Sequence, residues 1–239
     1  MKFATFKAFE KHLDSADHKH LADLYAIIGK EPFEVKAAEK KLINLLIEPQ
    51  KNKEFALKVY DANKMVLQEL MEELNAFSLF SEKKVILIQN AESLSKADMK
   101  ALEEYFSDLN RNSCLIISAS AINKATNFYK KLEKVGIILD IAEEKSWEKE
   151  KSIKEWIIAK VASEKKRISG EAVALLQKQI GTDQSTLHEE IEKLICYVAD
   201  RQEITVQDIA KISTSVTTEN GWQLMDAIFS RNAHDAFRI

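Results

Sequence analysis

Glycine and proline are scarce in this sequence, with five of the first and two of the second in 239 residues. That scarcity excludes collagen-like, linker-like and low-complexity architectures and points to regular elements joined by short loops. Cysteine is rarer than either element pattern would need for a disulfide framework. Cys114 and Cys196 stand far apart in apolar contexts and read as two reduced core thiols of a cytoplasmic protein. Neither sign of charge dominates. A net charge of −3 means that bulk electrostatics do not draw the chain to nucleic acid. Long hydrophobic runs are missing too. The N-terminal stretch MKFATFKAFEKHLDSADHKHL is amphipathic and charged, with no signal-peptide run, and nothing approaches a transmembrane span. What is present is 46% apolar and 31% charged residues, enough for a real core under a soluble surface. The length allows one large domain, or one domain and a smaller one.

The first half alternates short apolar runs with helical periodicity. Phe3 to Leu13 reads as an amphipathic helix through Phe3, Phe6, Phe9 and Leu13. His18-Lys19-His20 follows as a polar turn, with no carboxylate or cysteine cluster to complete a metal site. Leu24 to Ile28 is the first buried-strand candidate, ended by Gly29, and Pro32 opens a helix whose inner face is Val35, Ala38, Leu42, Leu45 and Leu46. Ala56 to Tyr60 is a second strand, with Asp61 expected to cap the next helix. Val66, Leu67, Leu70, Met71 and Leu74 mark that helix, and Val85 to Ile88 a third strand. Lys96 to Leu109 is a helix, Cys114 to Ser118 a strand, Phe128 to Val135 a helix stopped at Gly136, and Ile137 to Ile141 a last strand. Five apolar strands alternating with helices predict an α/β domain over residues 1–141, built on a doubly wound parallel five-stranded sheet.

Two places in that domain decide whether it can use a nucleotide. The strand–helix corner Gly29-Lys30-Glu31-Pro32-Phe33 lies where a phosphate-cradling loop would sit. A phosphate loop needs a second glycine, a lysine and a hydroxyl. Only Gly29 and a displaced Lys30 are there, and Pro32 removes an N–H donor. The third strand would end in acidic residues holding magnesium. It ends in Gln89-Asn90, with Glu92 displaced beyond it. No catalytic residue, cofactor or metal ligand is expected.

One connection is oddly apolar. Between the helix ending near Asn75 and the strand at Val85 lies Phe77-Ser78-Leu79-Phe80, with three large apolar side chains in four residues. Such a connection either tucks under the domain or meets a partner.

The pattern changes at Ala142. Beyond a charged stretch only helical periodicity remains, over Trp147 to Ala162, Glu171 to Ile180, Leu187 to Ala199 and Val206 to Ile212. Ser169-Gly170 precedes the second of these, Asp183 is an expected N-cap, and Thr205 with Asp208 is a box-like start signal. Residues 142–213 are therefore expected to form a small all-α domain. Lys165, Lys166 and Arg167 form a basic triplet, read as a solvated loop or, alternatively, as a DNA contact. Ser213 to Gly221 is a hydroxyl-rich linker, and Trp222, Met225 and Phe229 begin a further amphipathic helix. A lone amphipathic helix has nothing to bury against, so residues 214–239 are read as a linker and the start of a third domain that the chain truncates.

In order and spacing these motifs resemble the delta subunit of the bacterial DNA polymerase III holoenzyme. The corner Tyr25-Ala26-Ile27-Ile28-Gly29-Lys30-Glu31-Pro32-Phe33 resembles that family's strand and Gly-x-(Asp/Glu)-Pro-Phe turn. Leu74 to Ile88 resembles its clamp-binding element. Trp156-Ile157, Gly181-x-Asp183, Leu187 to Leu194 and Ile204-Thr205 resemble its lid domain, and Asn220 to Ile228 the first helix of its collar. The resemblance implies an AAA+/RecA-like fold without a P-loop, followed by a helical lid and the beginning of a collar. It implies a clamp-loader role in DNA replication with no intrinsic activity, as part of a DNA-directed DNA polymerase (nucleotidyltransferase) holoenzyme. The implied partners are the sliding clamp (the beta subunit) and, through the missing part of the collar, the other loader subunits. Leu79 and Phe80 are implied as the anchor in the clamp's apolar pocket, with Ser78, Phe77 and Leu74 beside them, and the bound tip would favour an opened clamp interface. The alternative is an ATP-binding AAA+ ATPase using Lys30 and Glu92, and titration with ATP and magnesium separates the two.

Overall fold

The computed structural model describes residues 1–15, 21–47, 56–76, 83–143, 146–212 and 229–230. His18-Lys19-His20, Phe77 to Phe80, and Ser213 to Ile228 lie outside the described residues. The chain divides into two compact units, Met1–Glu143 and Glu144–Ile239.

The first unit begins with a short strand, β1 (Lys2–Phe3), and helix α1 (Phe6–Ser15). Then come β2 (Leu24–Ile28), α2 (Pro32–Leu46), β3 (Leu57–Asp61), α3 (Leu67–Asn75) and β4 (Lys84–Gln89). A 3₁₀ turn (Ala91–Ser93), α4 (Lys96–Tyr105), β5 (Ser113–Ala119), α5 (Asn127–Val135) and β6 (Ile137–Asp140) complete it. The strands run parallel in the order β1-β6-β2-β5-β4-β3. Strand β1 is the correction to the five-stranded expectation. Phe3 was placed in a helix, but Lys2 and Phe3 pair with Ile138 and Leu139 and make the sheet six-stranded. The helical period of Phe6, Phe9 and Leu13 runs on through Phe3, so periodicity alone could not mark the break.

Period-two alternation assigns each strand residue to a face. Leu24, Ala26 and Ile28 of β2, Ile86 and Ile88 of β4, and Leu115 and Ile117 of β5 face one core. Leu70 and Leu74 of α3, Leu102 of α4, and Phe128 and Leu132 of α5 cover it. Tyr25, Ile27, Val85, Leu87, Cys114 and Ile116 face the other core, under Phe9 and Leu13 of α1 and Ala38 and Leu42 of α2. Both faces are buried, which is why these strands read as continuous apolar runs. Cys114 is one of the expected core thiols, and its burial pushes its pKa up to about 12. Gly136 stops α5 in extended backbone, not in a left-handed cap. A Cβ there would come within 3.0–3.1 Å of the Leu132 carbonyl and of Leu24, so close approach is what demands glycine.

The second unit carries α6 (Ser146–Ser163), β7 (Arg167–Ile168), α7 (Gly170–Ile180), α8 (Gln184–Val198), β8 (Glu203–Ile204) and α9 (Val206–Ile212). The two-residue strands pair in parallel, a small addition to the all-α expectation. Ile153, Ile157, Leu176, Leu187, Leu194 and Ile209 belong to one core joining all four helices. The expected N-cap Asp183 accepts from the Thr186 N–H at 2.7 Å, and Ser169 caps the preceding helix by accepting from the Ala172 N–H at 3.1 Å. Cys196 departs from expectation. It is exposed on α8 rather than in the core.

Asp208 holds α9. It is 4% exposed, and its carboxylate accepts from the Thr205 N–H at 2.9 Å and the Thr205 hydroxyl at 2.8 Å. Both terminal guanidinium nitrogens of Arg201 also donate to it, at 2.8 and 3.3 Å. Arg201 and these donors hold its pKa down at about 2. A lowered carboxylate pKa stabilises the fold fully above the unfolded value of about 4, and that stability is lost as pH falls toward 2. Asp208→Asn keeps the shape, discards the charge, and sets an amide against the guanidinium. It is expected to cost about 2 kcal/mol in urea unfolding at pH 7. The parent and the variant should converge as the pH is lowered from 5 to 2.5. A constant difference over that range would show that the carboxylate charge is not what matters.

Candidate functional site

Two sites follow from the fold, one at the carboxyl ends of the strands and one at the opposite end of β4. The first is a cleft of about 390 Å³ where β2, β4 and β5 end, lined by Gly29, Lys30, Pro32, Glu39, Gln89, Glu92 and Ser120 among others. In doubly wound sheets this crevice takes the nucleotide. Here several groups that could serve one are engaged. The Gly29 N–H donates to the Ala119 carbonyl at 3.0 Å. A Cβ on Gly29 would lie 3.2 Å from Ile141 and Val35, so this glycine serves packing and not a phosphate cradle. Lys30 reaches away to Glu143 at 2.9 Å. Gln89 donates its amide to the Glu39 carboxylate at 2.9 Å, across the place where a metal-binding acid would stand. Glu92 accepts from the Ser120 N–H at 3.0 Å and so fastens the 3₁₀ turn to β5. Glu39 is 6% exposed, a buried acid on the cleft-facing side of α2 that sequence reasoning missed. Its signal was a charged residue beside Ala38, inside the apolar stripe of that helix. Asp61, the expected helix cap, instead closes β3: its carboxylate accepts from the Asn63 N–H and from the Asn90 side chain, both at 3.0 Å. Helix α3 starts later, with Val66 at its N-cap.

The second site is where α3 ends and β4 begins, the two flanks of residues 77–82. Leu79, Phe80, Ser78 and Phe77 lie outside the described residues, but both flanks are described. Leu74 is fully buried, so its side chain belongs to the core rather than to a contact surface. Its carbonyl accepts from the Asn110 side-chain amide at 3.0 Å and from the Ser113 hydroxyl at 3.4 Å. Lys84, 6% exposed at the start of β4, forms an ion pair with Glu73. Lys83 pairs with Asp23 at 2.6 Å. The entry to residues 77–82 and the exit from them are thus bound to each other and to the sheet.

The basic triplet is split by the structure. Lys166 donates to the Ala199 carbonyl and, at 2.8 Å, to the Arg201 carbonyl, closing the end of α8. Lys165, at φ 58°, and Arg167 are exposed. Among the described residues no group of histidines, cysteines and acids could hold a metal ion, and no helix is long and apolar enough to cross a membrane.

Residues 25–142 match the family model of the DNA polymerase III delta subunit, which covers most of the first unit, from β2 onward. The α/β unit belongs to the delta-subunit family. The DNA polymerase III subunit delta of Bacillus subtilis is 21% identical over 226 residues, covering 90% of this chain and 64% of the relative. A probable DNA polymerase III subunit delta of Rickettsia prowazekii is 26% identical over 216 residues, covering 86% and 65%. The chain therefore spans just under two thirds of the length of these curated relatives. Among solved structures, the Bacillus subtilis DNA clamp loader delta protein superposes with a TM-score of 0.68 at 20% identity, over 98% of this chain and 70% of that one. The Thermotoga maritima RuvB Holliday junction branch migration motor superposes with a TM-score of 0.58 at 14% identity, over 93% and 74%. At these identities the structures speak for fold alone. The chain thus shares the α/β fold of these structures, built here on a six-stranded parallel sheet.

Proposed function

We propose that this chain acts as the delta subunit of a sliding-clamp loader, binding the clamp through Leu79 and Phe80 and favouring an opened ring interface so that the ring can be placed on primed DNA. The observation that carries the reading is the family match over residues 25–142, which contains the 77–82 segment and both of its tied flanks. Apolar anchors of this kind dominate interfaces when they enter a desolvated pocket. Binding energy made only with the opened clamp shifts the ring toward opening, by no more than the difference in affinity for the two states. ATP bound by other loader subunits would decide when the tip is presented. The loader would work beside the replicative polymerase in the cytoplasm, and this subunit would hydrolyse nothing itself. Engagement of Gly29, Lys30 and Gln89 by protein partners supports that last point.

DNA contact through the triplet draws little support, because Lys166 is occupied by carbonyls and two exposed cations give only a shallow salt dependence.

The test is surface plasmon resonance of the whole chain over the immobilised cognate clamp, with ATP and magnesium titrated calorimetrically in parallel. Saturable clamp binding and no micromolar ATP binding are expected. A folded chain that ignores the clamp overturns the reading, and micromolar ATP affinity would replace it with the nucleotide-binding alternative.

A further inference from the structure

We infer that Asn110, in the turn between α4 and β5, is a positioning residue for clamp binding: it fixes the end of α3, and through it the take-off point of the 77–82 segment. The inference rests on the clamp-binding reading above. Neither Asn110 nor its turn carries any motif of the resemblance, and both were invisible to sequence periodicity.

The turn is built around this one side chain. The Asn110 carbonyl oxygen of the amide accepts from the Asn112 N–H at 3.1 Å, and its backbone carbonyl accepts from the Ser113 N–H at 3.0 Å. The amide nitrogen is then left pointing outward, and it donates to Leu74 at 3.0 Å. Both ends of the amide are thus used, and reversing it would set donor against donor and acceptor against acceptor. The same turn holds the far flank, since the Lys84 N–H donates to the Asn112 carbonyl at 2.9 Å. One three-residue turn therefore grips the Leu74 carbonyl at the end of α3 and the first amide of β4.

Helix α3 needs such help. The last carbonyls of a helix have no intrahelical partner. Among the described residues α3 has no glycine cap: Ala76 follows it in extended backbone, and no basic residue lies in its last turn. Asn110, Ser113 and Lys84 supply the missing donors from elsewhere in the fold. A frayed last turn would let the segment leave the domain in many directions. Each of these would have to be abandoned on binding, an ordering cost that weakens the complex.

The test compares Asn110→Asp and Asn110→Ala with the parent chain. Aspartate keeps the acceptor for the Asn112 N–H and loses the donor to Leu74; alanine loses both without adding charge. Hydrogen exchange is read across residues 72–76, and clamp affinity is read by surface plasmon resonance in chains with and without Leu79→Ala/Phe80→Ala. Exchange at the end of α3 should quicken about fivefold in both variants, as expected for losing one hydrogen bond, while α1 and α5 stay as in the parent. Clamp affinity should fall about fivefold when the tip is intact and less than twofold when it is truncated. Unchanged exchange at residues 72–76 overturns the inference. So does faster exchange throughout the α/β unit, which would make Asn110 a general stability residue. Faster exchange at α3 alone, with the tip-truncated chain binding as tightly as the parent, would uphold the tie and sink the clamp-tip reading instead.

Discussion

Replacing Leu79 and Phe80 together by alanine should weaken clamp binding at least tenfold while leaving the fold intact. Two large apolar side chains moved from water into a pocket contribute about 3–5 kcal/mol, at roughly 1.5–3 kcal/mol each. Tenfold corresponds to about 1.4 kcal/mol, so the threshold sits well below the full transfer energy. The gap allows for the cost of ordering the segment, which the ties to Leu74 and Lys84 reduce in advance. The loss should appear mainly as faster dissociation, since the association rate follows charge and orientation more than buried area. Each single alanine should fall between parent and double variant. The melting temperature is the control, because both residues lie outside the tied flanks. Equal binding by parent and double variant would place the contact on another surface, and the exposed Val66 at the start of α3 would be the first residue to change.

Much of this fold could be read from the residues, because burial on both faces writes itself into a strand as an unbroken apolar run. Leu24 to Ile28, Val85 to Ile88 and Cys114 to Ser118 were found that way, and all lie in the sheet. β1 was not, since two residues of edge strand carry no period, and Phe3 fitted the helix phase of Phe6 and Phe9. Asp183 was found as a cap because capping is local chemistry. Asp61 failed for the same reason: a short acid after a strand caps a helix or closes a strand equally well, and the Asn90 amide, 29 residues away, decided it. The absence of a phosphate-loop motif at the Gly29 corner was legible in the residues. The Gln89–Glu39 contact there was not, because the two residues meet only once α2 lies over β4. The apolar segment at 77–80 was conspicuous at sight, yet the tie at its Leu74 flank is made by Asn110 and Ser113, which carry no pattern in sequence. Long-range hydrogen bonds leave no periodic trace, and they are where the unread part of the site resides.

Phe128→Ala is the second large effect expected, on stability rather than binding. Phe128 is 1% exposed at the start of α5, and its ring centre lies 5.4 Å from that of Phe106. Its neighbours in the same core include Leu102, Leu132 and Ile138. Removing a buried phenylalanine ring typically costs about 3–5 kcal/mol, the lost transfer energy plus the cavity left when neighbours cannot collapse. Collapse is hindered here, because the sheet on one side is held by ladders of parallel pairing and α4 on the other by its capping box at Ser95 and Asp98. With domain stabilities of about 5–15 kcal/mol, this is roughly a fifth or more of what the α/β unit possesses. At roughly 2–4 °C per kcal/mol for a unit of this size, melting should fall by on the order of 10 °C. Val135→Ala on the same helix, 43% exposed, should change stability by about 0.5 kcal/mol or less. The pair of variants separates core packing from helix propensity, since both put alanine into α5. Phe106 also closes α4 just before the turn that carries Asn110. A cavity beside it should therefore speed exchange at the end of α3 as well, but along with the whole core, unlike the local loss expected from Asn110→Asp. A cost below about 1 kcal/mol for Phe128→Ala would mean that α5 does not seal this face of the sheet, and the support for the turn would have to come from α4 alone.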